Sequence, residues 1–152
     1  MLLVMPVISV LAQVGKGGAD KKAKPALHKP AIPAYLGHST LTGGNITKPV
    51  FDSLLRQGIS AKDSLGKDWT VKSFSFIYAE RNLYDDSLGT PTVMTDYSEV
   101  PCPGDTISAD LAIDIYTRTK PGDTVFIDNI TISKQDIETT ARGMKFVLIK
   151  SR

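Results

Sequence analysis

The chain has few side chains that could act as nucleophiles, general bases or metal ligands. Its 152 residues include one cysteine, Cys102, and two histidines, His28 and His38. A single cysteine excludes an intramolecular disulfide and a cysteine-rich zinc site. No Gly-x-Ser-x-Gly motif is present, and the two histidines lack the spacing of a metal-binding pair. We therefore predict no catalytic residue, no metal site and no cofactor, and we expect the protein not to be an enzyme.

Two of these residues have a structural and a chemical interpretation. Cys102 lies between Pro101 and Pro103, where we expect a turn. An oxidising compartment would allow a reactive thiol or an intermolecular disulfide there, but an inert cysteine is the favoured interpretation. For His38, a polar residue at a strand edge is favoured over a general base, because catalysis needs oriented partners that the sequence does not supply.

Acidic residues are grouped at two places, and calcium prefers several oxygen ligands. Asp85 and Asp86 are adjacent, while Asp110 and Asp114 are four residues apart. Neither group has the spacing of an EF-hand loop. We expect Asp110 and Asp114 on the solvent face of a strand, where acidic side chains keep a sheet edge soluble. Calcium binding is therefore not predicted.

The net charge of +2 is misleading, because the basic residues are unevenly distributed. Only one acidic residue, Asp20, precedes residue 31, whereas five lysines do: Lys16, Lys21, Lys22, Lys24 and Lys29. The rest of the chain has 13 basic and 15 acidic residues. A nucleic-acid-binding protein concentrates lysine and arginine on one folded surface. We therefore predict no nucleic-acid partner.

The chain begins with an apolar segment followed by a polar one. Residues 1–12 read MLLVMPVISVLA, which is too short for a transmembrane helix but suits a signal peptide cleaved before Gln13. Pro6 disfavours the alternative of a buried strand or helix. No charged segment precedes the run, so we expect the natural start to lie upstream of Met1. Residues 13–34 are rich in Gly, Lys, Ala and Pro, which predicts a flexible linker. We predict an exported protein with a folded domain at residues 35–152 and no transmembrane segment.

One helix is predicted, over about residues 47–57. Thr47 can cap it, Pro49 is tolerated in its first turn, and Gly58 can adopt the left-handed conformation that ends it. Phe51 and Leu55 are spaced to form one apolar face, as are Val50 and Leu54.

The remaining pattern is typical of strands. Apolar residues alternate over residues 69–78 and 106–115, and residues 144–149 form a nearly continuous apolar strand. Residues 124–132 also predict a strand, but their apolar residues change parity, which indicates a bulge near Asp128 and Asn129. Pro-Gly-Asp-Thr occurs at residues 103–106 and 121–124, and each copy is expected to turn the chain into a strand. Short strands, turns and one helix predict a mainly β protein, specifically an immunoglobulin-like β-sandwich.

Three segments carry a resemblance to a known family. Residues 43–48 read GGNITK, residues 58–61 read GISA, and residues 120–130 read KPGDTVFIDNI. They are similar to Gly-Gly-x-Ile-Ser-Lys, Gly-Leu-Ser-Ala and a Gly-Asp-x-Val-Tyr-Ile-acidic-x-Ile strand in the C-terminal periplasmic domain of the GldM and PorM family. Residues 144–149 match the position of that family's last strand. The resemblance covers about residues 36–149.

The resemblance implies a non-enzymatic role, since family members are stalk components of gliding motility and type IX secretion machinery in the cell envelope. Residues 133–136 read SKQD, where the family has a Gly-Pro-Asp-Gly turn. These 152 residues also contain no helical bundle or membrane-spanning helix of the stalk type. We therefore carry over the fold and an interaction role in the periplasm or envelope, but not the motor function. The expected partners are envelope proteins, and self-association into a homo-oligomer is a further alternative. The alternative function is a secreted ligand- or glycan-binding β-sandwich domain unrelated to that machinery.

Overall fold

The computed structural model describes residues 31–152. The strands are β1 (Ile32–Leu36), β2 (Gly43–Thr47), β3 (Ile59–Lys62), β4 (Asp68–Asp85), β5 (Pro91–Pro103), β6 (Thr124–Lys134), β7 (Ile137–Arg142) and β8 (Met144–Ile149), and the helices are α1 (Lys48–Arg56) and α2 (Ala109–Arg118). The predicted signal peptide, most of the predicted linker and His28 lie outside the described residues. The folded part begins earlier than expected, because residues 32–34 belong to β1 and not to a linker.

The strands form one sheet in the order β2-β8-β6-β7-β1-β3-β4-β5. One edge of β6 pairs with β8 and then with β7, and its other edge pairs with β4. The β6–β4 pairing closes five strands into a ring, namely β6, β7, β1, β3 and β4. The mainly β class is therefore confirmed. The finer expectation of an immunoglobulin-like sandwich is not, because that ring joins strands that a sandwich would divide between two sheets.

The core takes side chains from every strand of this ring and from both helices, and β6 contributes several of them. Val125, Ile127, Ile130 and Ile132 are all fully buried. The parity change between the two pairs is absorbed at Asn129, which has a positive φ of 51°. The β4–β6 register shifts at the same place, so two residues of β6 lie opposite one of β4. The predicted bulge is confirmed.

Helix α1 is also confirmed within one residue at each end. Phe51 and Leu55 are buried, and the Phe51 ring lies 6.0 Å from that of Phe146 on β8. Gly58 has a φ of 90° after the last turn, as a left-handed terminating residue should. Thr47 occupies the N-cap position but makes no capping hydrogen bond through its side chain.

Residues 106–115 were expected to form a strand, and that prediction is wrong. They lead into α2, a second helix, whose N-cap Ser108 accepts a hydrogen bond from the Leu111 amide at 3.2 Å. The apolar residues at every second position also include pairs four residues apart, which is helix spacing. Leu111 and Ile115 pack on the core, whereas Ile113 is 64% exposed.

Two further expectations change with this helix. The first Pro-Gly-Asp-Thr turn leads into α2 and only the second opens a strand, although Gly104 and Gly122 both have positive φ as predicted. Asp110 and Asp114 lie on α2 and not on a strand face. Asp114 forms a salt bridge with Arg118, one turn along the same helix, at 3.0 Å.

Candidate functional site

The most distinctive surface is a two-stranded ribbon at the end of the β4–β5 hairpin. The two strands pair continuously from Ser73↔Pro103 to Asp85↔Pro91. On its other edge, β4 pairs with β6 only as far as Ala79↔Thr124. Residues 80–96 therefore extend beyond the sheet, and we call residues 80–97, which include Tyr97 at the base, the ribbon. Every side chain from residue 83 to 99 is exposed.

The tip of the ribbon is closed by an acidic side chain. The Asp86 carboxylate accepts hydrogen bonds from the Leu88 and Thr90 amides, each at 2.8 Å, and Gly89 has a φ of 76°. The same Asp-Ser-Leu-Gly sequence at residues 63–66 makes an equivalent turn, where Asp63 accepts two amides at 3.0 Å. Asp86 thus has a structural use that needs no cation.

Cross-strand partners divide the ribbon into two faces. Leu83 lies opposite Val93, and these two share a face with Tyr97; the three are 67%, 50% and 68% exposed. The other face carries Tyr84 and Asp96, whose side chains are hydrogen-bonded at 2.7 Å. This contact lowers the pKa of Asp96 and raises the pKa of Tyr84. We call the first face, which also carries Arg81 opposite Thr95, apolar and the second polar.

The outer edge of β5 is the second feature of the ribbon. In the described part of the chain β5 pairs only with β4, so its other edge is unpaired along all thirteen residues. Proline lies at positions 91, 101 and 103, and the residues between, 92–100, contain neither proline nor lysine. Proline and lysine are the residues that ordinarily protect a sheet edge from strand addition.

A buried carboxylate fixes the base of the ribbon. Asp123, in the second Pro-Gly-Asp-Thr turn, is 0% exposed. Its oxygens accept hydrogen bonds from the Tyr78 hydroxyl, from the Arg81 amide at 2.8 Å and from the Lys120 amide at 3.0 Å. The Lys120 ammonium lies 3.2 Å from Oδ1. Burial, together with the bond to Asp123, raises the pKa of Tyr78 well above its usual range.

Ion pairs extend this anchor to the surface. Glu80, the first residue of the ribbon, contacts the Arg118 guanidinium at 2.6 Å and the Lys120 ammonium at 3.6 Å. The hydrogen bond with Arg118 lowers the pKa of Glu80 and raises that of Arg118. Helix α2, the turn before β6 and the start of the ribbon are thereby joined at one point.

The residues with reactive side chains lie apart from one another. Cys102 is in β5 and not in a turn; it is buried against the core, and burial raises the pKa of its thiol. His38 lies in the exposed loop after β1, where its backbone amide donates to the Gln57 side chain at 2.9 Å. Within residues 31–152 no three histidine, cysteine or acidic side chains are grouped so that they could hold a metal ion.

A cleft of about 430 Å³ lies where β3 and β4 diverge. Its wall includes the half-buried Trp69, and polar groups of His38, Ser60, Lys62 and Asp105 line it. The Trp69 indole donates to Asp63 at 3.3 Å, and the Lys134 ammonium lies 5.7 Å from its ring. An aromatic wall with several polar groups is a surface on which a small polar ligand could bind.

Comparison with known proteins adds no identity to this geometry. No family model matches the chain, and no curated protein matches its sequence. Across residues 31–152, neither helix has the length and apolar character needed to cross a membrane.

The ribbon and its anchor were not predicted from the sequence. The strand prediction ended at residue 78, although an Asp-Ser-Leu-Gly turn follows at residues 86–89. This turn motif would have indicated a longer hairpin. The burial of Asp123 has no such signal, because Asp105 occupies the same position in an identical Pro-Gly-Asp-Thr motif and is exposed.

Proposed function

We propose that this chain is an exported, non-enzymatic protein–protein interaction module of the GldM and PorM C-terminal type. Its partners are envelope proteins, among them components of gliding motility or type IX secretion machinery. The ribbon at residues 80–97 is the surface through which it acts. Export is inferred from the signal-peptide pattern of residues 1–12, which precede the described residues.

The observation that carries this proposal is a ribbon that does not contribute to the core. No residue between Ala79 and Cys102 is among the buried core residues. A two-stranded hairpin is at best marginally stable alone in water. In this protein, ion pairs and hydrogen bonds at Glu80 and Asp123 hold such a hairpin in place. The hairpin presents Leu83, Val93 and Tyr97 to solvent. Exposed apolar side chains on a surface of fixed conformation favour contact with another macromolecule.

The proposed family membership rests on the matching sequence segments alone. Residues 120–130, the longest match, form the turn and the first part of β6, and residues 144–149 form the neighbouring β8. The immunoglobulin-like sandwich belongs to the same proposal. The mainly β content supports it. The closed ring argues for a variant of the sandwich in which β6 pairs with strands of both sheets.

The alternative function, binding of a secreted ligand or glycan, is favoured by one feature, the cleft beside Trp69. The exposed aromatic residues of the ribbon do not favour it, because Tyr84 and Tyr97 lie on opposite faces and form no continuous platform. A Trp69→Ala variant that loses binding to an oligosaccharide array, while the ribbon variants retain it, would favour the alternative.

The test of the interaction role is site-specific cross-linking in intact native envelopes. A photoreactive residue replaces Tyr97 on the ribbon, and in a matched control it replaces Ile137, which is 60% exposed on β7. We expect cross-links to motility or type IX secretion components from position 97 and not from position 137. Equal cross-linking from both positions, or none from either, would refute an interaction through the ribbon.

A further inference from the structure

We propose that the unpaired edge of β5 binds an extended, basic segment of another protein as an added β-strand. This inference rests on the proposed interaction function and specifies its binding mode and the chemistry of the partner. Three features of β5 support it: the free edge, the charge along that edge, and the order of side chains on the two faces.

The edge provides the hydrogen-bonding groups. Residues 92–100 are a nine-residue stretch of β5 in which every residue keeps its backbone N–H, because the prolines lie outside it at 91, 101 and 103. Alternate N–H and C=O groups of an antiparallel strand point away from its partner, so those not bonded to β4 face solvent. An extended peptide can pair with them as a further strand.

The charge along this surface selects the partner. Arg81 is the only basic residue from 80 to 99, and the acidic residues there number five: Glu80, Asp85, Asp86, Asp96 and Glu99. Glu80 is paired with Arg118 and Lys120, Asp85 ends β4 and Asp86 closes the turn, which leaves Asp96 and Glu99 as the acidic groups on β5. The Asp96 carboxylate also accepts hydrogen bonds from the neutral side chains of Asn82 and Tyr84, which leave its charge in place. Lysine or arginine on the added strand would complement them.

The same charges argue against a second copy of this chain at the edge. Pairing β5 with β5 would bring Asp96 and Glu99 of one chain beside those of the other, with no basic residue on either strand. Like charges on adjacent strands destabilise a sheet. The edge therefore favours a partner of opposite charge.

The order of side chains defines the partner more closely. Asp96 lies on the polar face, and Glu99 shares the apolar face with Val93 and Tyr97. The two acids are three residues apart, so an added strand needs two basic residues three apart to meet both. A side chain opposite Tyr97 or Val93 should be apolar. A peptide with the sequence Thr-Lys-Thr-Val-Lys-Thr-Ile-Val-Thr meets these requirements when it pairs antiparallel to residues 92–100.

The probe is this synthetic peptide, labelled with a fluorophore and titrated with the full chain while anisotropy is measured. The matched control peptide has the same sequence and charge but carries N-methyl groups at alternate residues, which remove the N–H donors of one edge. We expect the control peptide to bind about tenfold more weakly, equivalent to about 1.4 kcal/mol. Equal binding of the two peptides would mean attraction by charge alone and would overturn strand addition.

Charge variants test the position of the edge. Asp96→Lys combined with Glu99→Lys should weaken peptide binding at least tenfold. The control, Asp136→Lys with Glu138→Lys, makes the same charge change at exposed positions at the β6–β7 turn and should leave binding unchanged. A similar loss in both double variants would overturn the assignment to β5.

Other occupants of the edge give distinct results. A dimer of the wild-type chain in sedimentation equilibrium that the Asp96→Lys and Glu99→Lys changes abolish would mean that a second copy binds there. Tighter peptide binding after the five lysines before residue 31 are changed to glutamine would mean that the chain's own basic segment binds there. Either result overturns the proposal. If the wild-type chain does not bind the peptide but position 97 still cross-links to envelope proteins, strand addition is refuted and the proposed interaction function is retained.

Discussion

Asp105 and Asp123 occupy the same position in two copies of Pro-Gly-Asp-Thr, yet only one of them is a structural carboxylate. The Asp105 side chain is exposed, and its backbone carbonyl accepts the Ile59 amide at 2.7 Å. Asp123 is fully buried and is paired with Tyr78, Arg81 and Lys120. A buried charge is stable only while its partners are present, so the two aspartates should differ greatly in the effect of substitution.

We predict that Asp123→Asn lowers the free energy of unfolding by about 2–4 kcal/mol, because the amide is neutral and brings an N–H donor among donors. Asp105→Asn, the matched control, should have little effect. Urea denaturation followed by circular dichroism measures both. Similar midpoints for the two variants would contradict the anchoring role of Asp123.

The raised pKa of Tyr78 predicts a loss of stability at alkaline pH. A tyrosine ionises near pH 10 in the unfolded chain, whereas the buried Tyr78 hydroxyl stays protonated above that pH. Its contribution is therefore fully present below pH 10 and is lost as the pH rises above 10. In Tyr78→Phe the free energy of unfolding should fall less steeply between pH 9.5 and 11 than in the wild type. Urea denaturation at several pH values across that range measures the free energy of unfolding of both proteins. The same pH dependence in the two proteins would exclude a contribution from Tyr78 ionisation.

At the scale of elements, sequence periodicity predicted the fold well where only one period fitted. Phe74, Phe76 and Tyr78 alternate along β4 and are buried, and the parity change in β6 correctly indicated a bulge. Periodicity failed at residues 106–115, where apolar residues at every second position fitted both a strand and a helix. The capping bond of Ser108 marks the helix start, and the strand interpretation gave it no role. The candidate site was missed because exposure of the ribbon depends on where β6 begins, at Thr124.

The two helix starts predict different effects of the same substitution. Ser108→Ala removes the side-chain acceptor of the Leu111 amide and should lower the free energy of unfolding by about 1 kcal/mol. Thr47→Ala at the start of α1 removes no capping bond and should cost less. Thermal denaturation of both variants compares them. A larger loss for Thr47→Ala would mean that Ser108 does not hold α2 in place.

At the scale of the whole molecule, folding and the proposed binding are assigned to different parts of the chain. The core is filled from both helices and from every strand, but it takes no side chain from residues 80–99. The anchor at Asp123 and Glu80 reaches only the base of the ribbon. We therefore expect that the distal part of the ribbon can be removed without exposing the core.

We predict that replacing residues 83–93 by Asn-Gly leaves the free energy of unfolding within about 1 kcal/mol of the wild type. The two-residue turn suits a tight hairpin and keeps the Asn82–Met94 pair. The same variant loses Leu83 and Val93 but keeps Asp96, Tyr97 and Glu99, so binding of the basic peptide and cross-linking from position 97 should weaken without disappearing. Urea denaturation and the two binding assays on one preparation separate these outcomes. A loss of several kcal/mol would mean that the ribbon serves folding, and unchanged stability with unchanged binding would mean that residues 83–93 contribute nothing to the contact with partners.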